Sequence, residues 1–199
     1  MFTRNEDFKT FIHLYPIVTA ICFIQVILWG MLQIPYPFFT LLFGLLSGYN
    51  GGIEAGEWWR LASPIFLHAS FSHLLFNTIA LILFAPPLER ILKSAKFALV
   101  YLITGIVANI ATFIIEPAYY IHVGASGAIY GLFGMYVFMA FYRQRYMDKR
   151  HAQLILTILF IGLVMTFLSP NTNVVAHLSG LIAGFAVTPL FIKKNSFNH

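Results

Sequence analysis

Residues 126–142 read SGAIYGLFGMYVFMAFY, an uncharged run that starts on a serine and carries three glycines. As a helix rising 1.5 Å per residue it covers about 25 Å, slightly less than the roughly 30 Å apolar core of a bilayer. Five more apolar runs flank it, at about Pro16 to Gln33, Pro64 to Pro86, Phe97 to Ile115, Ala152 to Leu168 and Val174 to Ile192. The whole chain is 59% hydrophobic and 10% charged, where a soluble domain carries roughly 25% charged residues. The expectation is an all-α integral membrane protein, residues 1–199 forming one domain of six transmembrane helices.

The lone cysteine, Cys22, lies in the first run, which leaves no disulfide frame and no cysteine metal cluster. That run is too long for a removable signal and lacks a small-residue cleavage site, so it is expected to stay as an anchor. The long connection from Ile34 to Ser63 is rich in Gly, Pro and aromatics, and loops of that length are uncommon unless they have a function. Lysine and arginine favour the cytoplasmic side. With both termini inside, Arg4, Lys9, Arg90, Lys93, Lys96, Arg143, Arg145, Lys149, Arg150, Lys193 and Lys194 fall on the inner side and only Arg60 falls outside. The net charge of +5 is thereby accounted for by topology and contact with anionic membrane lipids, and nucleic-acid binding has no separate support.

Polar residues inside spans are costly and usually mark a site or a pathway. At the outer ends of the runs stand His68, Ser70, Ser72, His73 and Asn77 in the second, Ser126 and Tyr130 in the fourth, and His177 and Ser179 in the sixth. Each could be plain interhelical glue, since hydroxyls and imidazoles bond across small-residue seams. Ser126 has more to recommend it. It sits in Gly124-Ala125-Ser126-Gly127-Ala128, where missing side chains leave room for a substrate carbonyl, and it opens a helix whose free N–H groups point at any oxyanion formed there.

Tyr130 follows Ser126 at i+4, on the same face, while His177, Gly180 and Gly184 share a stripe on the sixth run. Gly180-x-x-x-Gly184 is the spacing that lets two helices approach closely, as a Ser126 to His177 hydrogen bond requires. Every acid (Glu6, Asp7, Glu54, Glu57, Glu89, Glu116, Asp148) lies at a flank or in a loop, and no HExxH motif occurs. A paired-aspartate site and the common zinc-protease helix are therefore excluded. His68 and His73 are five apart, poor helical geometry for shared metal ligation. With no acid to orient His177, the chemistry expected is a Ser126–His177 dyad without metal or cofactor. His73 and Asn77, at i and i+4, are either a packed polar pair or oxyanion donors beside the Ser126 backbone N–H.

Together Trp59-Arg60, His68-x4-His73-x3-Asn77, Gly124-Ala125-Ser126-Gly127-Ala128 and Ala176-His177-x2-Gly180-x3-Gly184 resemble, in order and spacing, the rhomboid family of intramembrane serine proteases. The resemblance implies a six-helix bundle with a water-filled cavity open to the outer side, where peptide bonds near the end of a substrate's transmembrane helix are hydrolysed. It implies Ser126 as nucleophile, His177 as base, His73 and Asn77 at the oxyanion, and Tyr130 stacked on the histidine. Gly124 would support the nucleophile turn. Trp59 and Arg60 would be structural, in a lipid-facing loop, and His68 would sit near internal water. Phe84-Ala85-Pro86-Pro87-Leu88-Glu89 departs from the family by carrying prolines where glycine is frequent, which leaves the role of Glu89 open. The partners implied are transmembrane protein substrates, in what is expected to be a bacterial plasma membrane with the site facing outward. A non-cutting scaffold of the same fold, binding membrane proteins, is the alternative.

Overall fold

Helix starts are encoded locally. Asp7, Ser70, Asp148 and Asn173 each accept a hydrogen bond from the backbone N–H three residues on, and Pro16 and Pro37 occupy first-turn positions where an N–H would have no partner. In the computed structural model, which describes residues 5–170 and 172–192, these signals open α1 (Phe8–Leu14), α2 (Pro16–Leu32), α3 (Pro37–Leu46), α5 (Phe71–Leu92), α8 (Lys149–Leu168) and α9 (Val174–Phe191). The other helices are α4 (Asn50–Glu54), α6 (Ser94–Ile115) and α7 (Ser126–Tyr142). Arg4, Lys193 and Lys194 of the charge count lie outside the described residues.

Each expected span coincides with an apolar helix, yet length and composition alone mark four helices able to cross a membrane: α5, α6, α8 and α9. The count is five if α1 and α2, bent by 109° at Tyr15, make one broken span, and α7 is a shorter apolar helix. The figure of six crossings therefore goes beyond what helix length carries. Large apolar side chains such as Phe23, Ile114, Phe160, Leu168 and Ile182 face outward, a surface that only lipid suits.

The second span differs from expectation at both ends. Pro64 lies in a 3-10 turn (Ser63–Phe66), and the helix starts at Phe71, where Ser70 caps it. At the other end it runs through Pro86 and Pro87 to Leu92. Two prolines donate no backbone hydrogen bonds and would end an exposed helix. Here Ala85, Pro86, Pro87 and Leu88 are buried among neighbouring helices, and the Tyr136 hydroxyl donates to the Phe84 carbonyl at 2.6 Å. Packing thus holds a stretch that propensity alone would break.

That extension carries Glu89 inward. Its carboxylate, 1% exposed, accepts from the N–H groups of Ile17 (3.0 Å) and Val18 (2.9 Å) and from the Ser94 hydroxyl (2.7 Å). It caps the positive end of α2, binding the first span to the α5–α6 turn at Lys93. The role left open by the sequence is a structural one.

At the centre stands α7, buried around nearly its whole circumference from Gly127 to Met139, which suits a helix apolar on all sides. It packs most extensively on α9. A methyl group at Gly180 would overlap the carbonyl oxygen of Gly127, and one at Gly184 that of Gly131. Backbone therefore meets backbone across this seam. Antiparallel alternation brings the starts of α5, α7 and α9 to one end of the bundle. There β1 (Gly48–Tyr49) pairs antiparallel with β2 (Ile121–His122), fastening the long first connection to the segment before α7.

Candidate active site

Ser126 is the first residue of α7, and no side chain caps that helix. Its first-turn N–H groups and dipole are left to face whatever occupies this end. The preceding turn is shaped by Gly124, whose φ of +134° L side chains rarely adopt, and whose N–H donates to the Pro64 carbonyl at 2.9 Å. A Cβ at Gly124 would lie 2.7 Å from Nε2 of His73 and 3.8 Å from Oγ of Ser126. The His73 imidazole and the Ser126 hydroxyl thus flank a position that only glycine keeps open.

His177 lies in the first turns of α9, which Asn173 caps by accepting from the Ala176 N–H at 2.8 Å. Asn173 Nδ2 also donates to Thr112 Oγ1 on α6 at 3.0 Å, fixing the height of α9. The His177 ring stacks on Tyr130, centroids 4.2 Å apart and 16° from parallel. Tyr130 is one helical turn from Ser126, so the stack brings His177 onto the Ser126 face of α7. Nδ1 of His177 is 2.8 Å from Thr166 Oγ1, and the Tyr130 hydroxyl is 2.8 Å from that same oxygen. No hydrogen bond joins Ser126 to His177 among the described residues. In free enzymes such bonds are often long and tighten only with substrate.

His73 and Asn77 occupy the first turns of α5. Asn77 Nδ2 donates to the His73 carbonyl at 2.8 Å, which leaves the second amide hydrogen for another acceptor. His68 precedes the helix rather than lying in it, so helical spacing does not separate it from His73. The two rings meet edge to face at 4.9 Å. His68 is buried, and neither ring nitrogen has a hydrogen-bond partner among the described residues. No group of three or more metal-ligating side chains occurs among the described residues.

Trp59 and Arg60 lie in a 3-10 turn (Trp58–Leu61). Trp59 Nε1 donates to the Leu45 carbonyl at 3.0 Å, and Arg60 Nη1 donates to the carbonyls of Gly44 (2.6 Å) and Ser47 (2.8 Å) while its Nε pairs with Glu57. These bonds close the end of α3 and stay clear of Ser126. Nearby, His122 Nε2 donates to Asn109 Oδ1 at 3.2 Å, while Asn109 Nδ2 donates to the Leu61 carbonyl. Burial pushes His122 down to about 4.

Thr166 and Asn173 are the site neighbours that sequence reasoning passed over. The rule that polar residues in spans are informative was enough to find Thr166, which stands at the Ser126 end of the fifth span. A threonine attracts less notice there because its hydroxyl can satisfy itself on its own helix.

A rhomboid domain model matches residues 55–194. The chain is 48% identical over 194 residues to the Bacillus subtilis protein named "Putative rhomboid protease YdcA", covering 98% of each. It is 40% identical over 136 residues to rhomboid protease GluP of the same organism, covering 68% of this chain and 26% of that one. Rhomboid-like protease 1 of Toxoplasma gondii is 29% identical over 162 residues, 79% of this chain and 55% of that one.

Proposed function

The chain belongs to the rhomboid family, and on that premise we propose that it is an intramembrane serine endopeptidase. It hydrolyses peptide bonds in or near the outer end of a substrate's transmembrane helix. The reading rests above all on one observation: Tyr130, one turn from Ser126, stacks on His177, which sets an imidazole on the face of α7 that carries the Ser126 hydroxyl at a glycine-lined helix start.

In this reading His177 Nε2 takes the Ser126 proton as Oγ attacks the scissile carbonyl, and a tetrahedral oxyanion forms. The Ser126 N–H, with His73 and the free amide hydrogen of Asn77, faces that oxygen. Collapse gives an acyl-enzyme while His177 returns the proton to the leaving amine. Water then repeats the sequence and frees the serine. Stacking on Tyr130 supports the imidazolium while it exists. Six crossings, cytoplasmic termini and an outward site in a bacterial plasma membrane complete the proposal, from the distribution of lysine and arginine.

The test is an activity-based fluorophosphonate probe followed by mapping of the modified residue. Labelling at Ser126, lost in His177→Ala, is expected. Labelling at another residue, or a labelled protein that leaves reporter transmembrane helices uncut, sinks the assignment and favours the non-cutting scaffold.

A further inference from the structure

Three short contacts converge on one atom, Thr166 Oγ1: the Gly162 carbonyl, the Tyr130 hydroxyl and His177 Nδ1, each at 2.8 Å. A threonine hydroxyl has one proton and two lone pairs. The Gly162 carbonyl can only accept, so the contact with it needs the Thr166 proton. The other two contacts must then be supplied from the far side, Tyr130 O–H donating to Thr166 and His177 Nδ1–H donating to Thr166. Every other arrangement leaves at least one of these close pairs without a hydrogen between its atoms, which costs free energy in so enclosed a place. Thr166 is 3% exposed and His177 9%.

We propose that Thr166 is a positioning residue that stands where a dyad lacks a third member, holding His177 as its Nδ1–H tautomer. This rests on the reading of His177 as the base. The consequence is that Nε2 carries the lone pair. When Nε2 takes the serine proton, Thr166 Oγ1 still accepts from Nδ1–H, so the imidazolium forms without any partner having to turn. Carboxylates commonly do this work. Here a neutral hydroxyl does it, its own proton tied to Gly162 on the same helix.

Thr166 sits on α8, whereas Ser126 and Tyr130 are on α7 and His177 on α9. Of the α8 side chains only Ile155, Leu159 and Thr166 are buried, while Phe160, Ile161, Met165, Phe167 and Leu168 face outward. The hydroxyl is therefore the polar tie between this helix and the ring, and the tautomer depends on a contact made by a lightly packed element.

The experiment compares Thr166→Val, which keeps the shape and removes the hydroxyl, with Thr166→Ser, which restores it. Histidine-labelled protein is examined by carbon and nitrogen NMR, the His177 signals being identified by their absence in His177→Asn. The second-order rate of fluorophosphonate labelling at Ser126 and thermal melting are followed in parallel. The wild type should show Nδ1–H, and Thr166→Val should shift His177 toward the Nε2–H form. Labelling in Thr166→Val should slow on the order of tenfold, the worth of one hydrogen bond, and return with serine. An Nε2–H tautomer in the wild type overturns the proposal, as does wild-type labelling by a Thr166→Val protein that merely melts lower. If instead the probe lands elsewhere than Ser126, or His177→Asn labels at full rate, the dyad falls. The tautomer spectrum then still reports whether Thr166 holds the ring.

Discussion

Replacing Gly184 by alanine puts one methyl group into the seam between α7 and α9. The added carbon would overlap the carbonyl oxygen of Gly131, where ordinary contact needs 3.4 Å or more. The obstruction is backbone, so no rotamer change relieves it, and the helices must part by on the order of 1 Å. Overpacking of this kind costs about 1–3 kcal/mol, and the rigidity on both sides argues for the upper end. The loss of activity should exceed the loss of stability. The stack at 4.2 Å spans this seam, the Thr166 contact at 2.8 Å from α8 depends on where that stack holds the ring, and a misplacement of about 1 Å can cost 10²-fold in rate. Gly30→Ala is the control, since nothing lies within 4 Å of a methyl there. The assay is thermal melting in detergent together with the initial rate of cleavage of a reporter helix. A Gly184→Ala protein that melts and cuts as the wild type does would refute the close-approach argument, while a comparable loss in Gly30→Ala would mean that any added methyl is disruptive.

Ser126→Ala and His177→Ala should each abolish cleavage without loss of folding, and the double variant should be no worse than either, because the two act as a unit; residual turnover in Ser126→Ala would reveal another nucleophile. His73→Ala and Asn77→Ala should lower kcat by roughly 10²-fold, with KM within a few-fold, if they are oxyanion donors; lower melting at unchanged rate would make them packing groups. Glu89→Ala should cost about 3 kcal/mol, because it strands the buried Val18 N–H and the half-buried Ile17 N–H that donate to its carboxyl group, and melting that stays at the wild-type temperature would contradict the cap. His122 is neutral in the folded protein with its pKa pushed down to about 4 against 6.5 when exposed. Below 6.5 the unfolded chain binds the proton more readily, so stability should fall as pH drops from 6.5 toward 4 and level off above. His122→Gln should flatten that slope, and an unaltered profile would exclude His122 as its source.

The apolar helices were legible because apolar runs of near-bilayer length have few other uses, and Ser126 and His177 stood out because polar residues there are costly. Partnerships set by packing were less visible. Pro86 and Pro87 read locally as a helix end, and only the buried neighbours of α5 show why the helix continues and where Glu89 goes. His68 looked helical because its run of hydrophobic residues began at Pro64, whereas the Ser70 cap restarts the chain at Phe71. Thr166 reaches His177 across eleven residues and a helix turn-around, a spacing that belongs to no periodicity. Helix length also gave a less definite count of crossings than the charge pattern did, since α7 is short and α1 meets α2 at a steep bend.

The glycine face of α7 has a consequence for how the molecule is made. The carbonyls of Gly127 and Gly131 and the open face of Gly134 meet α9, and α9 is synthesised after α7. Until it arrives, that face has only lipid, or other parts of the nascent chain, to lean on, and a stripe of glycine adds little to the free energy of entering a bilayer. In the proposed mechanism Ser126 is then in place while its base, His177, is not. On the proposed dyad, a ribosome that has passed α8 but not Val174 would have built a nucleophile without a proton acceptor, and the newborn chain would be harmless to its neighbours until its final seam closes.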